Sequence, residues 1–374
     1  MITYKFSILL LGLVGVALVC CGPRNDLNMG IANADEPRVD VQDNIRRGLE
    51  WLAKNQNKVE GSWAANGGMY TPTMTGLAGM CFLMEGSTLR EGKYRENLRK
   101  AVEWFLKRAQ PNGLLVNPNA PGEGGHYMYG HGFGMLFLAC VYGEEDDERR
   151  RKELEKVLTK AVEFCGKAQT SRGGWGYVSA VDLNDFDEGS VTITQLQGLR
   201  AARNAGITVP KSIVDKAVKY LQDCTTPRGG IIYSLAQGGA FGGAERPAIT
   251  AAGVACGFSA GDYKSTYARK WLKYCQENIP IGRGHVGHDE YQSYYFSQAV
   301  YVLGDDGYQK LFPNVKKSDA LTWTKYRNAI FDSIKNTQTR EGSWNVGYIG
   351  PVYSTAINLT ILQLENSTLP IYQR

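Results

Sequence analysis

The chain has 374 residues, a formal net charge of +5 and a hydrophobic content of 43%. This length and composition support a sizeable core in one large domain or two. Because acidic and basic residues are intermixed and form no basic stripe, the composition argues against a nucleic acid partner.

The first segment, residues 1–21, is predicted to be an export signal. Its apolar run is shorter than the roughly 20 residues of a membrane-spanning helix. Leu18 lies three residues before Cys21, as in a lipoprotein site, although a cysteine occupies the position where Gly or Ala is usual. Ala32–Ala34 offers an ordinary cleavage site instead. We therefore predict a periplasmic protein, anchored to the membrane if Cys21 is lipidated, with residues 22–40 as a polar linker.

Residues 41–374 contain six copies of one unit, in which a charged helix, a glycine-containing loop and a nearly uncharged helix follow one another. The copies are aligned on Gly48, Ala101, Ala161, Ala217, Ala268 and Ala329. A helix that is apolar on all sides is buried on all sides. The pattern predicts an all-α fold, an α/α toroid (α6/α6 barrel) of six helical hairpins with the uncharged helices as the inner ring. Closure is favoured over an open solenoid because neither end repeat has a polar capping face. The first and last repeats are therefore expected to be neighbours.

Three repeats carry a glutamine and, six or seven residues later, a tryptophan that follows a glycine. Glutamine can bond free backbone groups at a helix end, and tryptophan can cover the junction of the two helices. The pairs are Gln56 and Trp63, Gln169 and Trp175, and Gln338 and Trp344.

This pattern resembles the QW motif of squalene-hopene and oxidosqualene cyclases, which belong to the terpenoid cyclase and protein prenyltransferase superfamily of α/α toroids. The segments "YMYGHGFG", "SVTITQLQGLRAARNAGI" and "LPIYQR" are similar to those of single-domain exported bacterial proteins with prenyltransferase and squalene-oxidase repeats. The resemblance implies the toroid fold and a lipid-like or isoprenoid ligand.

One rim of the toroid is the predicted binding site. Since every hairpin runs the same way, the loops that enter the inner helices share that rim, and all four histidines lie in two of these loops. The inner helices also direct their positive ends to it. The residues predicted to bind ligand are His126, Tyr129, His131, Arg246, His288 and Tyr294.

The segment Asp185-Phe186-Asp187-Glu188 resembles the DxDD motif of class II terpenoid cyclases. The resemblance implies that Asp187 donates a proton, since clustered carboxylates raise one another's pKa. The competing interpretation is a helix junction in which Ser190 helps to cap the next helix. We favour the junction, because inner helices rich in Gly, Ala and Thr are not expected to give a cation the aromatic lining it needs. A substitution at Asp187 is then expected to change stability by at most about 1 kcal/mol.

No cofactor is implied apart from a divalent metal, which the His-x-x-His spacing of His285 and His288, together with Asp289, would permit.

The leading hypothesis is a protein that binds an apolar or amphipathic ligand, or a protein segment, at the rim. The alternatives are an enzyme, with acid catalysis by Asp187 or glycan cleavage, and a structural envelope protein.

Overall fold

The computed structural model describes residues 38–182, 185–237, 243–259, 265–280 and 289–373. In these ranges the regular structure is helical. The α-helices, in chain order, are α1 (Gln42–Lys54), α2 (Thr71–Glu85), α3 (Arg95–Arg108), α4 (Tyr127–Glu144), α5 (Glu148–Lys167), α6 (Gly189–Asn204), α7 (Lys211–Asp223), α8 (Pro247–Ser259), α9 (Thr266–Asn278), α10 (Asp289–Leu303), α11 (Gly307–Leu311), α12 (Trp323–Thr337) and α13 (Pro351–Gln363).

Six of these helices form a closed inner ring. Around it, α2, α4, α6, α8, α10 and α13 each pack on the next, and α13 packs back on α2. The outer helix α1 also packs on α13. Ring closure and the contact between the first and last repeats are therefore confirmed. The short α11, between α10 and α12, is an addition that the repeat pattern did not predict.

The inner helices are apolar on all sides because they are enclosed on all sides. Every residue of α4 from Gly130 to Tyr142 is buried, whereas α5 buries one face and exposes its charges. Glycine lets the inner helices approach closely: a Cβ atom on Gly76 would lie 2.8 Å from the carbonyl oxygen of Phe133. The contrast between the two helix types is therefore what separates the rings.

The glutamine and tryptophan pairs make the same contacts in three repeats. The Gln169 amide donates to the carbonyl of Gly173 (2.8 Å) in its own turn and to that of Ile213 (2.9 Å) in α7. The Trp175 indole donates to the carbonyl of Cys165 at 2.8 Å. Gln56 and Trp63, and Gln338 and Trp344, repeat this arrangement. Each glutamine thus joins its hairpin to the next outer helix, and Gln338 does so across the ring closure.

The C-terminal segment covers the far end of the inner ring. Ile371 and Tyr372 are buried, and the segment packs on α6. The Tyr372 hydroxyl lies 2.9 Å from that of Tyr294 in α10. This segment lies opposite the rim at which the inner helices begin.

The described cysteines are free thiols, and all but Cys256 are fully buried. Within the described ranges, no helix combines the length and the hydropathy that a membrane span requires.

Candidate ligand-binding site

A cavity of about 380 Å³ opens at the rim where the inner helices begin. All six inner helices contribute their first turns to it, as expected if every hairpin runs in the same direction. Its lining is dominated by tyrosines, together with Phe133, Met74, Ile249 and Ile349. The tyrosines are Tyr70, Tyr129, Tyr177, Tyr233, Tyr291, Tyr348 and Tyr353.

Part of the wall is a continuous row of rings. The His126 ring centroid lies 4.4 Å from that of Tyr177 and 5.9 Å from that of Tyr70. Tyr129 lies 6.0 Å from Tyr177. Partial burial lowers the pKa of His126, which favours a neutral imidazole. The expectation that the rim lacks an aromatic lining is therefore wrong, because the rings come from the loops and first turns rather than from the bodies of the inner helices.

Behind the lining residues Tyr129 and Ser190 lies Glu188, whose side chain is fully buried. Its carboxylate accepts hydrogen bonds from the backbone N–H groups of Ser190 and Val191, both at 2.8 Å. It also accepts one from the Tyr129 hydroxyl at 3.0 Å, and that hydroxyl lies 2.5 Å from the Ser190 hydroxyl. Burial raises the pKa of Glu188. The carboxyl group therefore holds a proton at a higher pH than an exposed glutamate does.

The N-cap of α6 is Glu188 rather than Ser190. The cap was expected from Ser190 and Thr192 together with the preceding acids, and one of those acids provides it, because the Glu188 side chain folds back to reach the first free N–H groups of the helix. Ser190 instead presents its hydroxyl to the carboxylate of Glu188 at 2.7 and 2.8 Å.

Asp187, the acid that the cyclase resemblance singles out, lies outside the pocket lining. Its buried carboxylate accepts hydrogen bonds from the Arg172 side chain, from the Tyr220 hydroxyl at 2.9 Å and from the backbone N–H of Leu235 at 2.9 Å. These groups tie two successive repeats together. A proton donor to a pocket ligand does not fit this geometry.

Asp185 lies on the surface and accepts hydrogen bonds from the Ser171 backbone at 2.7 Å and from the Ser171 hydroxyl at 2.6 Å. These bonds lower its pKa. Asp185 therefore belongs to the helix junction, as Asp187 does.

Arg246 lines the mouth of the pocket and is exposed. Its guanidinium carbon lies 5.7 Å from the ring centroid of Tyr233. The adjacent Glu245 pairs with Arg228, at 3.5 Å, and among the residues that the structure describes no carboxylate pairs with Arg246. Since α8 begins directly after Arg246, its helix dipole adds to the positive potential at the mouth.

Two residues predicted to bind ligand face elsewhere. His131 is fully buried; its Nδ1 accepts from the N–H of Leu115 at 3.3 Å, and its Nε2 lies 3.2 Å from the carbonyl oxygen of Ala161 in α5. Burial lowers the pKa of His131 to about 4. Tyr294 is held by Tyr372 near the far end of the ring. The structure thus brings together His126, Tyr129 and Arg246, and it places His131 and Tyr294 outside the pocket.

The remaining candidates cannot be placed. His285 and His288 lie outside the described residues, and the side chain of Asp289, which opens α10, lies outside them as well. In the part of the chain that the structure describes, no three His, Cys, Asp or Glu side chains form a metal-binding group.

The sequence analysis named Tyr129 as a ligand-binding residue and offered Asp185, Asp187 and Glu188 as candidate catalytic acids, but it missed the other six tyrosines of the lining. A usable signal exists for the tyrosines, since a tyrosine lies at, or within a few residues of, the start of most inner helices. Nothing in the sequence distinguishes the direction of Glu188 from that of Asp187.

Comparison with known proteins shows the fold. No family model and no curated protein matches this chain. Among solved structures, an inactive GH76 α-1,6-mannanase variant from Salegentibacter sp. HEL1_6, in complex with α-1,6-mannotetrose, matches with a TM-score of 0.64 and 8% identity. The match covers 88% of this chain and 100% of that chain.

Two further structures cover the same share of this chain. The apo type II terpene cyclase MstE from Scytonema matches with a TM-score of 0.54 and 13% identity, over 88% of this chain and 99% of that chain. A GH76 α-mannanase from Bacteroides thetaiotaomicron matches with a TM-score of 0.56 and 12% identity, over 88% of this chain and 96% of that chain. The α/α toroid expected from the repeats is confirmed.

Proposed function

We propose that this protein binds an amphipathic ligand, with the apolar body among the tyrosines and an anionic head group at Arg246. The observation that carries the proposal is the convergence of seven tyrosines from the inner-helix rim on one cavity. A mostly apolar and aromatic cavity with a few polar groups is typical of small-molecule sites, and about 380 Å³ lies within their usual range. A purely structural ring would be expected to be filled at this rim.

Arg246 favours the anionic head group. An arginine at a pocket mouth with no carboxylate partner among the described residues offers a planar set of donors that matches a carboxylate or phosphate. A solved structure of the MstE cyclase holds geranylgeranyl dihydroxybenzoate as its substrate, an isoprenoid on an aromatic acid. That likeness supports the same general class of ligand for this pocket.

The test uses isothermal titration calorimetry to compare two ligands. One is a benzoic acid with a geranylgeranyl chain on its ring and a free carboxylate, and the other is the benzyl alcohol with the same chain. Both should bind the wild type. Arg246→Gln should weaken binding of the acid by about tenfold or more, since a hydrogen bond to a charged group contributes about 1.5–3 kcal/mol, and should leave the alcohol unchanged. Arg228→Gln, an exposed arginine on the neighbouring loop, is the matched control. Equal weakening of both ligands would refute the head-group assignment, and no binding of either would refute the proposed function.

A second candidate is an enzyme in which Glu188 supplies a proton. It is favoured by one observation: the buried carboxyl with a raised pKa is joined through Tyr129 and Ser190 to the cavity that those two residues line. In this scheme a proton passes through these hydroxyl groups to one carbon of an alkene, whose π electrons form the new C–H bond, and the other alkene carbon becomes a carbocation among the tyrosine rings. Glu188 is left as a carboxylate and recovers a proton when the product loses one.

Deuterium incorporation distinguishes the enzyme from the binding protein. The isoprenoid acid is incubated with the protein in heavy water, and the product is examined by mass spectrometry. Glu188→Gln should abolish incorporation, whereas Asp187→Asn, at the adjacent acid buried in the repeat junction, should retain it in the folded fraction. The same incorporation in Glu188→Gln as in the wild type would remove Glu188 from the reaction.

A further inference from the structure

A second hollow, of about 190 Å³, lies between the inner helices α6 and α8 and the outer helices α7 and α9. Ser190, in the first turn of α6, lines the tyrosine pocket, and Leu199, nine residues later, lines this hollow. At 1.5 Å per residue, the two positions are about 14 Å apart along the helix. The hollow is therefore a separate site at the other end of α6.

The hollow exists because one wall lacks side chains. Gly253 and Gly257 of α8 are one turn apart and face it. A Cβ atom on Gly257 would make only an ordinary contact, at 3.7 Å from the Trp271 ring. On the other side, Val214 and Val218 of α7 are only partly buried. These valines and glycines leave a largely apolar space, which Arg200, Arg203 and Gln222 also line.

One buried polar group at this hollow lacks a partner. Gln197, which is only 4% exposed, lines the space. Its Nε2 donates to Oε1 of Gln298 at 2.9 Å, and Nε2 of Gln298 donates in turn to the carbonyl of Tyr294 at 3.1 Å. This chain of donors fixes the orientation of the Gln197 amide.

With that orientation, Oε1 of Gln197 receives no hydrogen bond from the described residues. An acceptor buried without a donor costs about 1–3 kcal/mol, and in native structures it calls for a partner outside the chain.

We propose that this hollow binds a small apolar molecule with one hydroxyl group, of the size and kind of a phenol, whose O–H donates to Oε1 of Gln197. An apolar cavity of about 150 Å³ is known to hold benzene, so about 190 Å³ accommodates a substituted ring. Trp271 offers the ring an aromatic surface, and the valines of α7 offer it an apolar one. This site is independent of the tyrosine pocket and of the function proposed for it.

The experiment titrates the full-length protein with p-cresol and with toluene, followed by calorimetry and ligand-observed NMR. p-Cresol should bind about two- to tenfold more tightly than toluene, the ratio expected for one net hydrogen bond. Gly257→Leu, which fills the hollow, should weaken binding of both molecules at least tenfold. Val218→Phe fills the hollow from the opposite wall and serves if Gly257→Leu fails to fold. Ser212→Leu, an equally apolar change on the exposed side of α7, should bind as the wild type does.

Gln197→Met tests the hydrogen bond separately. It should retain toluene binding and bring the affinities of p-cresol and toluene to the same value. Three results would overturn the proposal: no binding of either molecule at millimolar concentration, undiminished binding in both filled variants, or equal affinity of the two molecules for the wild type. The last result would mean that a water molecule alone satisfies Gln197.

Discussion

Asp187 and Glu188 are adjacent acids with the same burial and different surroundings. Both side chains are fully buried, and the extended backbone at Glu188 sends them to opposite sides. Asp187 faces the junction of two repeats and is held by an arginine and backbone N–H groups. Glu188 contacts the hydroxyl groups of Tyr129 and Ser190, two residues that line the pocket. Arg172 compensates the charge of Asp187, whereas no cation among the described residues pairs with Glu188, so the two buried acids differ in their partners rather than in their burial.

The largest effect is expected on the junction side. Trp175→Ala should lower the free energy of unfolding by about 3 kcal/mol or more, because it empties the site of a fully buried indole and removes its hydrogen bond to Cys165. Chemical denaturation measures this change. Trp51, which is only partly buried, is the control, and Trp51→Ala should cost clearly less. Equal losses would mean that the junction has no special part in stability.

Asp187→Asn should come next, with a loss of about 2 kcal/mol. The substitution leaves Arg172 without its buried partner and turns an amide towards groups that donate hydrogen bonds, and breaking a buried ion pair is costly. The loss is reduced because the Arg172 side chain remains 32% exposed and can be solvated. This replaces the expectation of a surface-like change within about 1 kcal/mol. A melting temperature equal to that of the wild type would place Asp187 among surface residues after all.

Glu188→Gln should change how the stability of the folded protein depends on pH. Since the folded-state pKa of Glu188 is raised, ionisation of Glu188 lowers the free energy of unfolding of the wild type as the pH rises. Below the unfolded-state pKa of about 4.3 the group is protonated in both states, and this loss is absent. Glutamine does not ionise. The stability of Glu188→Gln relative to the wild type should therefore rise as the pH increases from about 4 to neutrality. Thermal melts across this range measure it, and a constant difference would contradict the raised pKa.

Ser190→Ala should have the smallest effect, about 1 kcal/mol, because it removes the hydroxyl contacts with Glu188 and Tyr129 and leaves the cap made by Glu188 in place. The measurement compares the decrease in the free energy of unfolding of Ser190→Ala with that of Glu188→Ala, which removes the cap itself. A loss larger than that of Glu188→Ala would restore Ser190 as the cap.

The fold could be predicted because the repeat contrasts charged with uncharged helices, and only a ring of paired helices buries the second kind completely. The rim could be predicted because direction follows from the repeat. The direction in which each side chain of an inner helix points could not be predicted. On an inner helix, apolar on all sides, no polar face marks which residues point to the cavity. Tyr129 and His131 are two residues apart, or about 200° around the helix; the first lines the pocket and the second binds an outer helix.

The C-terminal segment makes the toroid a cup rather than a tube. With Ile371 and Tyr372 packed over the far end of the inner helices, the tyrosine pocket opens at its rim and not, among the described residues, at the far end of the ring. The end of a long molecule that enters first must then stop deepest, and the same end leaves last. An apolar tail would enter ahead of its charged head, and the head would remain beside Arg246 throughout. A ligand of the proposed kind would therefore enter and leave the tyrosine pocket at the same rim, so a bound molecule would exclude the next one until it dissociates.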